Sequence, residues 1–558
     1  PPAARWGRAG FPDLLAALAK AWKERRDELE SSASEILAHL ETGARDATQT
    51  GAPPQTLVAD AVRSLAAQFD AREGGFGGAP KFPPSMRLEL LMRHWRRTGD
   101  AGTRTMTEKT LARMAAGGLY DQVGGGFHRY SVDAQWLVPH FEKMLYDNAM
   151  LARVYLLAFR AFGDPDHARV ARETLDFLLA EMTPPEGGFF AAQDADSGGE
   201  EGTFYVWNPE TLLAAVGDDA PLVAARFGVT ASGNFESGET VLSVVRSAGE
   251  LAREFGRPEA QIVDTLARAR RKMYAVRGRR VRPGTDDKLL TDWSALAISA
   301  FALAARLLDE PRYETAARRA ADRILATCVR GGELLHREKA GRADIAGFAT
   351  DYAFLVEALL DLYEATFETR YFSEAIRLQK MFEERFADPR GGYFLSAAGH
   401  DGLILRPKES WDGATPSSNS VAAMNLLRLA VFTGDEDYRR RADLVVASAA
   451  PLLERAPTAF PRLLCALDFR ADPPREVVLA GRLGDGDFEA LRRAAFASPV
   501  LNRVVAHADS AAQAPGLEAL GAGRAATTGG AAAYVCSNFA CRAPVSDPAA
   551  LAAALAAP

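Results

Sequence analysis

The sequence predicts a mainly α protein, an (α/α)6 barrel of six helical hairpins followed by a small C-terminal α/β lobe. Three observations carry this. Amphipathic stretches of about 15 residues, with apolar positions three and four apart, alternate with loops built on a Gly-Gly pair and an aromatic or apolar residue. The helical stretches come in two kinds, one with a charged face and one apolar nearly all round, as a double-walled ring requires. Beyond residue 470 the helical period gives way to short β-branched runs.

At the start, residues 11–40 read as a charged helical pair whose apolar face has no obvious partner within the chain. Outer helices are predicted near 56–70, 103–117, 166–182, 258–275, 312–328 and 371–386. Each runs into a glycine-bearing loop, since Gly just past a helix end is the expected left-handed cap. These loops are Gly74-Gly75-Phe76, Gly125-Gly126-Phe127, Gly187-Gly188-Phe189, Gly331-Gly332-Glu333-Leu334 and Gly391-Gly392-Tyr393, with the Arg282-Pro283-Gly284 turn serving the fourth unit. Inner helices follow near 84–97, 139–162, 209–227, 291–308, 351–367 and 417–433, the third having the weakest pattern. Segments 149–162 and 295–308 carry few charges, so they are expected to be buried on all sides. An α-solenoid is the alternative, because ring closure leaves no mark in one sequence. In the lobe, the runs 476–480 and 503–506 flank a helical 487–497 as a β-α-β unit, and 532–535 and a helix after Asp547-Pro548 complete it. The implied divisions are 1–50, 51–470 and 471–558.

Composition bounds the function. The 558 residues carry 66 Lys and Arg against 73 Asp and Glu, a net charge of −7, which suggests neither nucleic acid nor an anionic membrane as partner. The longest strongly apolar stretch, 293–305, falls short of the ~20 residues that span a bilayer and reads as a core helix. With four cysteines a disulfide framework is not expected. Cys536 and Cys541, five apart, match neither redox nor zinc spacing and read as incidental thiols, with a reducing cytoplasm as the default location.

Candidate chemistry gathers on the loops at the barrel mouth. The richest runs from Gly125 through His128, Arg129 and Tyr130 to Trp136, then Pro139-His140-Phe141-Glu142-Lys143. If a helix starts at Pro139, His140 and Asp147 share a face two turns apart, as a general base and its orienting carboxylate. A histidine and an aspartate satisfied within the core explain the same pattern. Asp194 and Asp196, with Glu200 and Glu201, form an acidic loop that is either a solvated turn or an acid/base pair; no metal or other cofactor is expected. Two inner helices open alike, Thr291-Asp292-Trp293 and Thr350-Asp351-Tyr352, where capping and sugar recognition beside an aromatic ring are both served. Glu409-Ser410-Trp411-Asp412 and Ser418-Asn419-Ser420 complete the ring, Lys288 and His336 are further polar candidates, and Lys81 lines the mouth or packs a turn.

Several of these segments are long enough to be specific: Lys81-Phe82-Pro83, Gly125-Gly126-Phe127-His128-Arg129-Tyr130, Pro139-His140-Phe141-Glu142-Lys143-Met144-Leu145-Tyr146-Asp147-Asn148, Asp194-Ala195-Asp196-Ser197 and Tyr534-Val535-Cys536. The chain resembles the thioredoxin-domain-containing, spermatogenesis-associated protein family over nearly its whole length. The resemblance implies a six-hairpin barrel related to N-acylglucosamine 2-epimerases and six-hairpin glycosidases. It also implies a thioredoxin-like N-terminal domain, of which residues 1–50 would be the last stretch and connecting helix, so a thioredoxin-like partner domain is expected.

The expected function is therefore acid/base chemistry on a sugar at the funnel mouth, as an epimerase or isomerase or as a glycosidase. His128, His140, Asp147, Asp292 and Asp351 are the candidate catalytic groups. Lys81, Arg129, Tyr130, Trp136, Glu142, Asp194, Asp196, Trp293, Tyr352, Glu409, Trp411 and Asn419 are the candidate substrate contacts. Convergent histidines would favour epimerisation and paired funnel carboxylates hydrolysis. The alternative is a non-catalytic glycan- or protein-binding scaffold for the thioredoxin-like domain. A terpenoid-type toroid lacks its Asp-rich motif, because Asp286-Asp287 is followed by Lys288.

Overall fold

The computed structural model describes residues 2–5, 7–46, 54, 56–399, 403–538 and 540–556; positions 1, 6 and 47–50 of the first predicted unit lie outside these. Six inner helices, Ser85–Thr98, Leu145–Phe162, Thr291–Leu308, Ala349–Thr366, Ser418–Thr433 and Pro461–Ala471, each pack on the next. The sixth packs on the first, so the ring closes as a barrel rather than extending as a solenoid. Six outer helices surround it: Leu57–Gln68, Ala101–Ala116, Pro165–Glu181, Pro311–Thr327, Thr369–Phe386 and Glu436–Arg455. Close approach of the inner helices rests on small residues, as at the fully buried Ala295, Ala297, Ala300, Ala302 and Ala304 of the third. That helix is long and apolar enough to cross a membrane, yet 78% of its apolar window is buried inside the barrel.

Two expected hairpins are assigned differently by the structure. Segment 209–227 is not an inner helix. It breaks into Pro209–Val216 and Ala220–Phe227 around Gly217-Asp218-Asp219, and with Ala248–Phe255 and Glu259–Arg277 it builds a helical insertion. The insertion has its own apolar clusters, one around Trp207, Val223 and Met273 and one around Leu222, Leu251 and Ile262. The third outer helix therefore pairs with Thr291–Leu308 across residues 182–290. The ring is completed instead by Glu436–Arg455 with Pro461–Ala471. Pro451 near the end of the former and Pro461 at the start of the latter interrupt the sequence pattern without stopping either helix.

The Gly-Gly loops have a specific mechanical role. Asn148 of the second inner helix accepts from Phe127 N at 2.7 Å and donates to Phe127 O at 3.0 Å. Asn419 of the fifth does the same to Tyr393, at 2.7 and 3.0 Å. The glycine before each aromatic has positive φ, +76° at Gly126 and +75° at Gly392, and a Cβ there would stand 3.0 Å from the asparagine oxygen. The repeat thus ties loop to helix by one device used twice.

In the lobe, strands Arg475–Ala480 and Arg503–His507 are parallel, joined by helix Gly486–Ala497, and Ala532–Ser537 pairs antiparallel on the other side. Val477, Leu479, Phe488, Leu491 and Leu551 form its core, into which Phe367 of the barrel inserts. The cysteine expectation is corrected here. Strand Ala540–Cys541 sets Cys541 directly opposite Cys536, and the two are joined by a disulfide; tertiary register, not spacing, brings them together. At the other end, helices Phe11–Glu24 and Arg26–Asp46 pack on each other and leave Phe11, Leu14, Leu15, Leu18 and Trp22 exposed.

Candidate functional site

The N-termini of the inner helices surround the mouth of the ring. The first turns of the second, third and fourth place Tyr146 and Asp147, Asp292 and Trp293, and Asp351 there. Hairpin strand Glu333–Lys339 pairs with Leu289–Leu290, which lays His336 beside the heads of the third and fourth helices. His336 Nδ1 lies 3.0 and 3.1 Å from the two oxygens of Asp351. The same carboxylate accepts from Asp292 N at 3.1 Å and from Phe348 N at 2.7 Å, so it caps its helix and orients the imidazole together. Asp292 accepts from Trp293 N at 2.8 Å and from Thr350 Oγ1 at 3.3 Å. Burial, then the neighbouring Asp351, pushes its pKa up to about 7. Burial works against a charged His336, but the hydrogen bond and charge of Asp351 raise its pKa. Asp292, His336 and Asp351 each offer a ligand atom within 4.8 Å of the others, the donor types of a divalent-cation site.

Beside this group opens a cavity of about 430 Å³. Asp147 and Asp412 supply carboxyl groups to its wall, Arg87 and Arg129 the cations, and Phe76 and Phe82 the aromatic surface. Asp147 Oδ2 is buried and has no hydrogen-bond partner among the described residues. Burial holds the Asp147 pKa well above the carboxylate range, Arg129 opposes this, and Glu142 adds to it. Asp412 accepts from Ser417 N at 2.9 Å and Arg462 N at 2.7 Å, yet burial still raises its pKa. Tyr146, pushed up to about 12 by burial and by Asp147, meets Trp293 edge-on at 4.8 Å and so links the cavity to the His336 group. A cavity of similar size, about 460 Å³, lies outside the ring against the insertion; of its three carboxylates Asp164 caps a helix, Asp166 pairs with Arg169 and Glu173 with Arg270 at 2.6 Å.

The predicted site residues separate into two sets. Asp147, Arg129, Trp293, Asp292 and Asp351 stand at the mouth as described, and Glu142 holds Arg129 at 2.9 Å. Tyr130 packs on Phe82 and His140 nearby. The remaining assignments change. His140 does not share a helix face with Asp147, because Pro139–His140 is a strand paired with Tyr130–Ser131 and the helix begins at Leu145. His140 Nδ1 is bound to Glu201 at 2.7 Å. His128 is buried against Tyr205 with Nδ1 on Phe141 O at 2.8 Å, and burial lowers its pKa to about 3, leaving a neutral core group.

Lys81, Trp136, Tyr352 and Asn419 are buried structural residues. Lys81 is saturated by Asp70, Gly74 O and Ala134 O at 2.7–2.9 Å. Trp136 donates to Glu73 O at 3.0 Å, and Tyr352 accepts from Leu334 N at 3.0 Å. Asp194 and Asp196 are exposed on a hairpin, and Trp411 is exposed. Asn419 also donates to the Glu409 carbonyl at 2.9 Å, and burial raises the Glu409 carboxyl. From that segment it is Asp412 that faces the cavity. Arg87 is a residue the sequence reading missed; it follows Lys81-Phe82-Pro83 with no spacing signal of its own.

Human spermatogenesis-associated protein 20 is 34% identical over 604 residues, covering 98% of this chain and 76% of that protein. The chain belongs to the spermatogenesis-associated protein 20 family. The mouse member is 33% identical over 603 residues, covering 98% of this chain and 75% of its own length. No family model matches. Among solved structures, cellobiose 2-epimerase from Bacillus thermoamylovorans B4167 gives a TM-score of 0.49 at 10% identity, covering 75% of this chain and 99% of that one. D-mannose isomerase gives 0.47 at 12%, covering 70% and 84%. A GH76 α-mannanase from Bacteroides thetaiotaomicron gives 0.44 at 10%, covering 75% and 96%. The barrel assignment for this family member stands on the closed ring of helix contacts traced above.

Proposed function

We propose that this protein binds a sugar in the mouth cavity and performs acid/base chemistry on it with Asp147 as the proton donor. The observation that carries this is the Asp147 carboxyl itself, buried on the wall of a cavity of about 430 Å³, with Oδ2 lacking a hydrogen-bond partner among the described residues and its pKa raised by burial. A neutral carboxyl beside a ligand space is what a general acid needs at neutral pH. Arg87 and Arg129 suit hydroxyl or carboxylate groups, and Phe76 and Phe82 suit the apolar face of a pyranose ring. Asp412 on the same wall supplies a second carboxyl, which favours a glycosidase-like reaction over a two-histidine epimerisation, since neither His128 nor His140 lines the cavity.

A second reading has its own support. His336 held by Asp351 next to Trp293 suits a general base in sugar isomerisation. The exposed apolar row Phe11, Leu14, Leu18 and Trp22 also suits a scaffold role toward a thioredoxin-like domain.

The test is turnover and binding across a panel of mono- and disaccharides with wild type, Asp147→Asn and His336→Gln. Loss of about 10²-fold or more in Asp147→Asn with retained binding supports the first reading. Loss in His336→Gln alone supports the second. No saturable binding of any sugar to the wild type would sink both.

A further inference from the structure

At the opposite end of the ring the inner helices meet the C-terminal lobe around a small cavity of about 60 Å³. The charge there is lopsided. Seven guanidinium groups border it: Arg93, Arg153, Arg160, Arg306, Arg428, Arg462 and, from the lobe, Arg503. Four carboxylates answer them. Glu89 takes Arg93 at 3.1 Å and Arg462 at 2.9 Å, Glu357 takes Arg462, Asp361 takes Arg428 at 3.0 Å and Arg153 at 3.4 Å, and Glu364 takes Arg306 and Arg428. Asp468, close by, is paired with Arg97 at 3.2 Å. Seven against four leaves three positive charges in excess among the described residues.

Two arginines have no carboxylate in ion-pair contact among the described residues, although Glu364 stands near enough to Arg503 to act on its charge. Arg503 donates from Nη1 to the carbonyls of Ser498 and Val500 and from Nη2 to that of Phe496, at 2.9–3.0 Å, three of its five N–H groups. Arg160 makes no hydrogen bond or ion pair among the described residues, and its Nε is buried and orphaned. The groups facing Arg160 are further cations, Arg503, Arg306, Arg93 and Arg153, which with burial depress its pKa. A half-buried guanidinium with an orphaned Nε and like charges around it is costly unless an anion joins it.

We infer that this cavity is an anion site that takes one small tetrahedral oxyanion of the phosphate class, held by Arg160 and Arg503 and pinning the lobe to the barrel. A volume of about 60 Å³ suits one such ion. The planar fork of arginine matches oxyanion geometry in pairs. Arg160 lies in the second inner helix and Arg503 in the lobe's second strand, so a bound oxyanion bridges the two units where their arginines face each other.

The experiment uses the full chain freed of phosphate, titrated calorimetrically with inorganic phosphate at constant ionic strength, with chloride as the control and thermal unfolding as the second readout. One phosphate per chain and a melting midpoint that rises with phosphate concentration are expected. Arg160→Met should weaken phosphate at least about tenfold. In phosphate-free buffer the same variant should melt above wild type, because the repulsion is relieved, a sign that a merely structural arginine would not produce. Arg503→Met serves as the second variant should Arg160→Met not fold, while Asp147→Asn at the mouth should bind phosphate as wild type does. Absence of phosphate binding, an equal response to chloride, or unchanged affinity in both arginine variants would overturn the assignment.

Discussion

His336 Nδ1 lies 3.0 Å from Asp351 Oδ1, and that carboxyl also closes the head of the fourth inner helix through Phe348 N. One buried side chain therefore sets both a helix end and the protonation of a mouth histidine. Because Asp351 raises the His336 pKa, the pair's contribution to stability is fully present below the unfolded histidine value of about 6.5 and is lost as pH rises through the raised folded value. Asp351→Asn should lower the His336 pKa in an NMR titration and flatten stability over that window. An unchanged His336 titration would contradict the pairing.

Asp292 moves stability in the same direction, because its folded pKa is raised as well. Its pKa stands at about 7 against 3.8 for a free side chain, so between those values the unfolded chain has released a proton that the folded chain still holds. Stability should fall as pH rises from about 4 to 7. Asp292→Asn keeps the shape and removes the titration. It should be more stable than wild type above pH 7, by up to a few kcal/mol on the order of the shift, and nearly equal to it near pH 4. Denaturant midpoints at the two pH values check this.

Lys81 belongs to the frame. Its ammonium satisfies the backbone carbonyls of Gly74 and Ala134 and the carboxylate of Asp70. Asp70 is a quarter exposed and hydrates when left alone, so Lys81→Met should cost about 2–3 kcal/mol rather than the full penalty of a buried orphan charge. Urea unfolding measures it. Sugar binding in the surviving folded fraction should match wild type.

The Cys536–Cys541 disulfide closes a short hairpin, so its loop-entropy contribution is small, at most about 2 kcal/mol. Non-reducing peptide mapping should recover the two cysteines in one linked peptide. Cys536→Ser/Cys541→Ser should lower the midpoint of the C-terminal lobe slightly and leave the barrel unaffected. Separate, unlinked peptides in protein handled without reductant would count against the bond.

How far the sequence could be read depended on whether a property was local. Periodicity and the Gly-Gly loops sufficed for five of the outer helices and for most of the inner ring, because amphipathicity is written into each helix. They failed at 209–227, where an eight-residue helix broken at Gly217 keeps an apolar face toward the insertion, and at 436–471, where prolines disguise the last hairpin. Asp147 could be singled out because it falls in the first turn after a distinctive loop. Its supposed partner His140 could not be judged, since a strand pairing with Tyr130 moves it away from the helix.

The amino-acid pattern alone establishes a run of helical hairpins with a small β-containing lobe, since these follow from residue-by-residue choices of helix, turn and cap; closure of the run into a ring is decided by the packing of the last inner helix on the first. Which charges are neutralised is decided only by packing. His128 and Lys81 become frame residues, Asp147 is left with its pKa raised and Oδ2 without a partner among the described residues, and Arg160 is left among other cations, because the partners that satisfy or abandon a buried polar group come from segments far apart in the chain.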